Sequence, residues 1–310
     1  MCGITGFFSP GSLQQKSELE KKLSKMTISL RHRGPDDTDE WLDYDNKVAL
    51  GHRRLSILDL SQKGKQPFKS KSGKYIISFN GEIYNFKKIK KEISSINNIK
   101  WKTNTDTEVI CEAFETWGIK NSLKKFDGMF AIVVWDCQNK KICLIRDRFG
   151  IKPLYYGIFG NTLLFGSELK SLKSYGINFK ISKKGLNDFL QLSYIPAPHT
   201  IYENIYKLMP GKILSFDQNL SSVEEIYWDM NEVAENSLKN QYNLTYEEIV
   251  KKTENILLSS TESHLISDAP IGSFLSGGID SSLITSLMSE ASNDKINTFS
   301  IGFEGEQYNE

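Results

Sequence analysis

Chemistry in this chain would start from Cys2. Cysteine is small enough for an initiator methionine ahead of it to be trimmed, which would leave a thiol and a free α-amino group on one carbon. Such an amine titrates near ~8 and a thiol near ~8.5, so the amine can take the thiol's proton around neutrality. One residue would then supply both nucleophile and base. Met1-Cys2 alone favours a plainer reading, an ordinary second residue on a frayed terminus. Other residues offer partners for a nucleophile. Asn80-Gly81 would present an amide NH2 and a backbone N–H to a developing oxyanion; it also reads as a hairpin turn. Arg54 could grip a carboxylate with two parallel hydrogen bonds, or form a surface ion pair. Glu82 and Asp106 could hold an α-ammonium, or serve as a solvated strand end and a helix-start charge.

A second constellation lies far along the chain. Ser276-Gly277-Gly278-Ile279-Asp280-Ser281-Ser282 falls between an apolar strand-like run and a helical one. Two glycines let backbone N–H groups approach an oxyanion, hydroxyls add donors, and the helix start adds partial positive charge. Asp280 suits a Mg²⁺ ion shared with phosphates better than it suits phosphate itself. The lysine of the common P-loop is missing. A serine-capped turn is the alternative, but seven residues in this setting favour the anion site.

Composition narrows the remaining classes. The 310 residues suffice for two domains, and 39% hydrophobic with 25% charged residues is ordinary for a soluble protein. A formal net charge of +1 gives no reason to expect nucleic acid or an anionic membrane as partner. No apolar run approaches the roughly 18 residues of a membrane span, and no signal-peptide pattern opens the chain, so a cytoplasmic location is expected. Cys111, Cys137 and Cys143 sit in apolar runs without metal-ligand spacing and read as buried packing residues. His32 and His52 read as structural.

Hydrophobic periodicity supplies the elements that must position these groups. Ile4 to Phe8 reads as a strand, and Leu13 to Leu30 as an amphipathic helix on Leu19, Leu23, Met26 and Leu30. Strands are expected at Val48 to Leu50, Leu55 to Asp59, Tyr75 to Phe79, Met129 to Asp136, Ile142 to Asp147, Leu154 to Tyr156 and Thr162 to Gly166. Thr105 with Glu108 reads as a capping box that opens a helix ended by Gly118, which leaves Asp106 free of the cap role. Many antiparallel strands with two helices predict a layered α+β domain over residues 1–200. A polar connecting segment is expected over 201–245. From 246 to 310 a helix, a buried strand at Ile271 to Leu275, the glycine loop, a helix and a strand at Ile296 to Ile301 predict the beginning of an α/β parallel-sheet domain.

Cys2-Gly3-Ile4, RHRGPDD at Arg31 to Asp37, HRRLSILD at His52 to Asp59, FNGEIYN at Phe79 to Asn85 and RDRFGIKPLY at Arg146 to Tyr155 together resemble class II glutamine amidotransferases. With SDAPIGSFLSGGIDSS at Ser267 to Ser282, the chain resembles the glutamine-hydrolysing asparagine synthetases. The resemblance implies an N-terminal-nucleophile hydrolase domain followed by an ATP-pyrophosphatase-type domain. It implies Cys2 as nucleophile and Asn80 and Gly81 as the oxyanion hole. Arg54 would lie on the glutamine α-carboxylate, Glu82 and Asp106 about its α-ammonium, and the backbone of Leu55, Ser56, Ile57 and Leu58 would line the same site. Ser276, Gly277, Gly278, Asp280, Ser281 and Ser282 match the pyrophosphate loop, with Leu275 and Ile301 bordering the adenosine of ATP and Asp280 toward Mg²⁺. The substrates implied are glutamine, aspartate and ATP. Aspartate would be activated as an acyl-adenylate and amidated by ammonia, and a homodimer is common among the relatives.

Members of that family continue for several hundred residues past the pyrophosphate loop, whereas this chain ends at Glu310. The expectation is therefore a fragment of a longer enzyme, or a shortened product with glutaminase activity at most. Its second domain should be poorly stable alone, because two parallel strands cannot bury a doubly wound sheet. Other readings are a different class II amidotransferase such as glucosamine-6-phosphate synthase, a β-lactam-forming synthetase, or a non-enzymatic scaffold. The glycine loop argues against the first of these and an intact Cys2 pocket against the second.

Overall fold

The computed structural model describes residues 1–302. It divides into two units, Met1–Glu232 and Val233–Glu310. The first begins with β1 (Gly3–Phe8), α1 (Lys16–Ile28), β2 (Asp37–Asp43), β3 (Val48–Arg54), β4 (Phe68–Lys69) and β5 (Tyr75–Ile83). Helices α2 (Phe86–Ile96), α3 (Asp106–Trp117) and α4 (Ile119–Lys125) follow, then β6 (Gly128–Asp136), β7 (Lys141–Arg146), β8 (Tyr155–Phe159) and β9 (Thr162–Gly166). After α5 (Leu169–Lys173) and α6 (Lys183–Leu192) come β10 (Ile205–Lys207), β11 (Lys212–Phe216) and β12 (Ser222–Ile226).

These strands make two six-stranded antiparallel sheets, in the orders β10-β8-β9-β1-β3-β2 and β12-β11-β7-β6-β5-β4. Alternation along each strand decides what lies on each face. Ile4 and Phe8 of β1 pack with Val48, Leu50, Leu163 and Phe165 of their own sheet, and with Ala131, Val133, Trp135, Ile142 and Leu144 of the other. Phe7, Ala49 and Leu164 point the opposite way, onto Leu19, Leu23 and Met26 of α1 and Leu172 of α5. Helix α3 covers the second sheet from outside: Phe114 meets Tyr75 of β5 edge-on at 6.2 Å between ring centres. The result is helix, sheet, sheet, helix, a layered α+β arrangement of antiparallel sheets flanked by helices, as the element pattern predicts. Each fully buried Leu, Ile or Phe in the inter-sheet layer contributes about 1.5–3 kcal/mol.

Several expectations change. Leu55 to Asp59 is a loop and not a strand, because its carbonyls turn toward the Arg54 side chain instead of a neighbouring strand. The segment 201–245 is not a plain connector, since β10, β11 and β12 complete the edges of both sheets. Five helices, α2, α4, α5, α6 and α7 (Met230–Lys239), also escaped the periodicity reading, two of them strongly amphipathic. One is α2, whose buried Phe86, Ile89 and Ile93 repeat at helical spacing; the other is α6. Cys111 and Cys143 are buried as expected, while Cys137 is only half-buried.

The second unit contains α8 (Tyr246–His264), β13 (Gly272–Phe274), α9 (Ile279–Ala291) and β14 (Asn297–Phe299), preceded by α7 (Met230–Lys239). Thr245 and Glu248 form a complete capping box at the start of α8. Strands β13 and β14 pair in parallel, as the α/β pattern requires. The expected buried strand at Ile271 to Leu275 is shorter and open: Phe274 is 77% exposed in this two-stranded sheet.

Candidate active site

Strand register brings the first residues to the middle of the chain. Gly3 stands opposite Arg53 in the β1–β3 ladder, so Cys2 arrives where β3 ends. Its Sγ accepts the Leu55 N–H at 3.4 Å and donates to the Leu55 carbonyl at 3.5 Å. The Cys2 carbonyl accepts the Arg33 Nε–H at 2.9 Å, and Arg33 in turn donates Nη1–H to Glu168 at 3.1 Å. Cys2, Arg54, Leu55, Ile57, Leu58, Asn80, Gly81, Glu82 and Asp106 line one pocket. Burial pushes the thiol above its usual range, and Asp106 pushes in the same direction; the Leu55 backbone, the terminal ammonium and Arg54 oppose them.

Asn80 and Gly81 lie within β5, paired with Ala131 and Phe130 of β6, so they form no hairpin turn. Asn80 is 1% exposed, and its Nδ2 is buried without a hydrogen-bond partner among the described residues. A buried amide donor left unpaired costs about 1–3 kcal/mol, a cost that a bound oxyanion would remove. Glycine is required at position 81, because a Cβ there would overlap the Met129 carbonyl.

Asp106 opens α3, as its place after the cap implied. It is buried, and its Oδ2 accepts the Ile83 N–H at 3.0 Å. Burial, with Glu82 adding to it, pushes its carboxyl up to about 7. The cap itself is only half of the expected box. Thr105 Oγ1 accepts the Glu108 N–H at 3.3 Å, but the Glu108 carboxylate turns to Thr103 N–H at 2.7 Å, Thr103 Oγ1 at 2.8 Å and Lys102 N–H at 2.9 Å. Arg54 lines the pocket with its guanidinium engaged on the carbonyls of Leu58 at 3.1 Å, Asp59 at 2.6 Å and Ser61 at 2.9 Å. Ser56 does not line the pocket; its N–H donates to Asp36 at 2.8 Å.

Some lining residues carry no sequence signal of their own. Gln66 accepts the Phe79 N–H at 2.7 Å and donates to Thr107 Oγ1 at 3.3 Å, tying β5 to α3 behind the pocket. A Cβ at Gly64 would fall on the Arg54 guanidinium. Lys152 reaches the pocket from the loop after β7. Lys152 lies within RDRFGIKPLY at Arg146 to Tyr155, which is its pointer in the sequence.

Residues 1–228 match the family described as glutamine amidotransferase domain. The chain belongs to the class II glutamine amidotransferases. Residues 252–310 match asparagine synthase, so the amidotransferase domain is followed by an asparagine synthetase-type domain. A putative glutamine-hydrolysing asparagine synthetase 2 of Methanocaldococcus jannaschii is 34% identical over 98% of this chain and 60% of its own length. Asparagine synthetase 1 of Bacillus subtilis is 33% identical over the whole of this chain and 47% of its own length. The chain thus spans about half the length of these relatives. Among solved structures, glutamine phosphoribosylpyrophosphate amidotransferase from B. subtilis shares the fold, with a TM-score of 0.52 at 16% identity over 99% of this chain and 68% of that one.

In the synthetase-type domain, the loop Ser276 to Ser282 joins β13 to α9 in the expected strand–loop–helix order. Its hydroxyls turn inward: Ser276 Oγ lies 3.1 Å from Ser281 Oγ, and Ser281 and Ser282 both donate to the Gly278 carbonyl. Gly277 adopts φ +98°, a conformation that favours glycine, and Gly278 caps the helix. Asp280 is exposed in the first turn of α9. Among the described residues no cluster of three or more His, Cys, Asp or Glu could hold a metal ion. A lone carboxylate fits Mg²⁺ only where phosphates complete the shell. Leu275 is half-buried and Ile301 is 72% exposed. No helix among the described residues is long and apolar enough to cross a membrane.

Proposed function

We propose that the amidotransferase domain hydrolyses glutamine at Cys2. The observation that carries this reading is the convergence of Cys2, Arg54, Asn80, Gly81, Glu82 and Asp106 on a single pocket. Met1 is 56% exposed at its mouth, where an aminopeptidase would find it. With Met1 removed, the α-amine of Cys2 takes the thiol proton and Sγ attacks the side-chain amide carbon. The oxyanion takes hydrogen bonds from Asn80 Nδ2 and the Gly81 N–H. The proton passes to the departing nitrogen, the C–N bond breaks and ammonia leaves a thioester. Water then attacks, giving one proton to the amine, and the sulfur departs to regenerate the thiol and glutamate.

The substrate's two charged ends find matching groups. Arg54 faces its α-carboxylate, and Glu82 and Asp106 its α-ammonium. An ammonium beside Asp106 would pull that carboxyl down from about 7 and complete the ion pair. For the protein as a whole we propose that this ammonia amidates aspartate, activated through ATP as an acyl-adenylate with loss of pyrophosphate. ATP supplies the activated phosphorus. Ser276 to Ser282 would hold its pyrophosphate by backbone N–H groups, with Asp280 on the shared Mg²⁺. The reading is tested by glutamate release from glutamine: it should vanish in Cys2→Ala, and equal rates in both proteins would sink it.

A further inference from the structure

Lys152 is 6% exposed, yet it lines the pocket alongside Cys2, Gly81 and Glu82. Its backbone is gripped from two sides. The Lys152 N–H donates to Asp147 Oδ2 at 2.9 Å, and the Lys152 carbonyl accepts Arg146 Nε–H at 2.9 Å. Asp147 is itself buried and also receives the N–H groups of Phe130, Phe149 and Ile151. Arg146 also donates to the carbonyls of Gly150 and Leu208 at 2.6 Å each. Two charged side chains are thus spent on shaping the loop 147–152. A buried lysine costs several kcal/mol in desolvation unless nearby negative charge offsets it, and here that loop delivers one to the nucleophile's pocket.

Of the other charged groups around Cys2, Arg54 also favours the thiolate but holds the loop carbonyls, Arg33 holds the Cys2 carbonyl and Glu168, and Asp106 opposes a thiolate. The terminal amine must be uncharged to serve as base. We propose that Lys152 is a positioning residue whose ammonium, held at the pocket wall, favours the thiolate form of Cys2 and the uncharged form of the terminal amine beside it. This rests on the reading of Cys2 as nucleophile. Three electrostatic effects support it. Burial lowers the affinity of Lys152 for its proton, Glu82, Cys2 and Asp147 restore part of it, and Arg33 opposes them. The terminal amine of Met1, one residue ahead of Cys2, is pushed down first by burial, then by Arg33 and Lys152, against Cys2 and Asp36. At Cys2 itself, burial acts upward and Asp106 adds to it, so a cation in the pocket has an effect to counter.

The experiment is the rate of Cys2 alkylation by iodoacetamide between about pH 6 and pH 10, followed on the Cys2 peptide by mass spectrometry in the full chain. Lys152→Met should move the midpoint up by about one pH unit and slow alkylation near neutrality roughly tenfold, while Lys152→Arg keeps the wild-type profile. If Lys152→Met does not fold, Lys152→Gln gives the same reading with a polar end retained. A neutral variant whose profile overlays the wild type overturns the proposal. The two ideas separate cleanly: loss of glutamate release in Cys2→Ala with overlaid alkylation profiles sinks Lys152 alone, and persistence of glutamate release in Cys2→Ala sinks the nucleophile.

Discussion

His52 donates its Nε2–H to the Phe79 carbonyl at 2.9 Å, joining β3 of one sheet to β5 of the other beside Asn80. Burial lowers this imidazole to about 4, so it stays neutral where an unfolded histidine would gain a proton. Stability from this group is therefore complete above about pH 6.5 and is lost as pH falls through that value toward 4. The span corresponds to about 3 kcal/mol. Between pH 7.5 and pH 5 this group's share is about 2 kcal/mol, so urea unfolding should show the wild type losing about 2 kcal/mol more stability over that interval than His52→Gln.

Asp106 has the opposite sign. Its folded carboxyl sits near 7 against an unfolded value near 3.9, so the folded protein holds an extra proton between the two and loses stability as pH rises through that window. Asp106→Asn should stabilise the protein at pH 8 by about 2–4 kcal/mol. It should also raise the KM for glutamine at least tenfold, because the ammonium partner is gone. Denaturant melts and steady-state glutaminase kinetics on one preparation read both effects.

The unpartnered Asn80 Nδ2 carries a kinetic expectation. Asn80→Ala should lower kcat for glutamine hydrolysis about 100- to 1000-fold with little change in KM, the signature of a donor used only in the transition state. An equal loss in KM and none in kcat would remove Asn80 from the oxyanion hole.

Glu108 gathers the N–H groups of Lys102 and Thr103 and the Thr103 hydroxyl, which shapes the turn leading into Asp106. Truncation to Ala leaves those donors unsatisfied and should cost about 2–3 kcal/mol by urea unfolding. Glu108→Gln, which keeps an acceptor, should lose less than half of that.

Local spacing carried much of this protein. Leu19, Leu23 and Met26 marked α1, alternating apolar runs marked β5, β6, β7 and β9, and Thr105 placed Asp106 inside the first turn of α3. These features depend on neighbours within four residues, where backbone geometry alone decides which side chains share a face. Leu55 to Asp59 misled because its apolar residues look like a strand. The competing partner, the Arg54 guanidinium, satisfies its carbonyls in a loop instead.

By itself the sequence determined which residues could act: Cys2 as the thiol, Asn80-Gly81 as donors, Glu82 and Asp106 as carboxylates, and the glycine loop at Ser276. Only the tertiary structure decided that Cys2 meets Leu55, that Asn80 keeps a buried and unpaired amide, and that Lys152 joins them. The physical reason is register. Pairing Gly3 with Arg53 and Asn80 with Ala131 closes loops of about 50 residues, and the side chains brought together there share no local pattern that could announce the meeting.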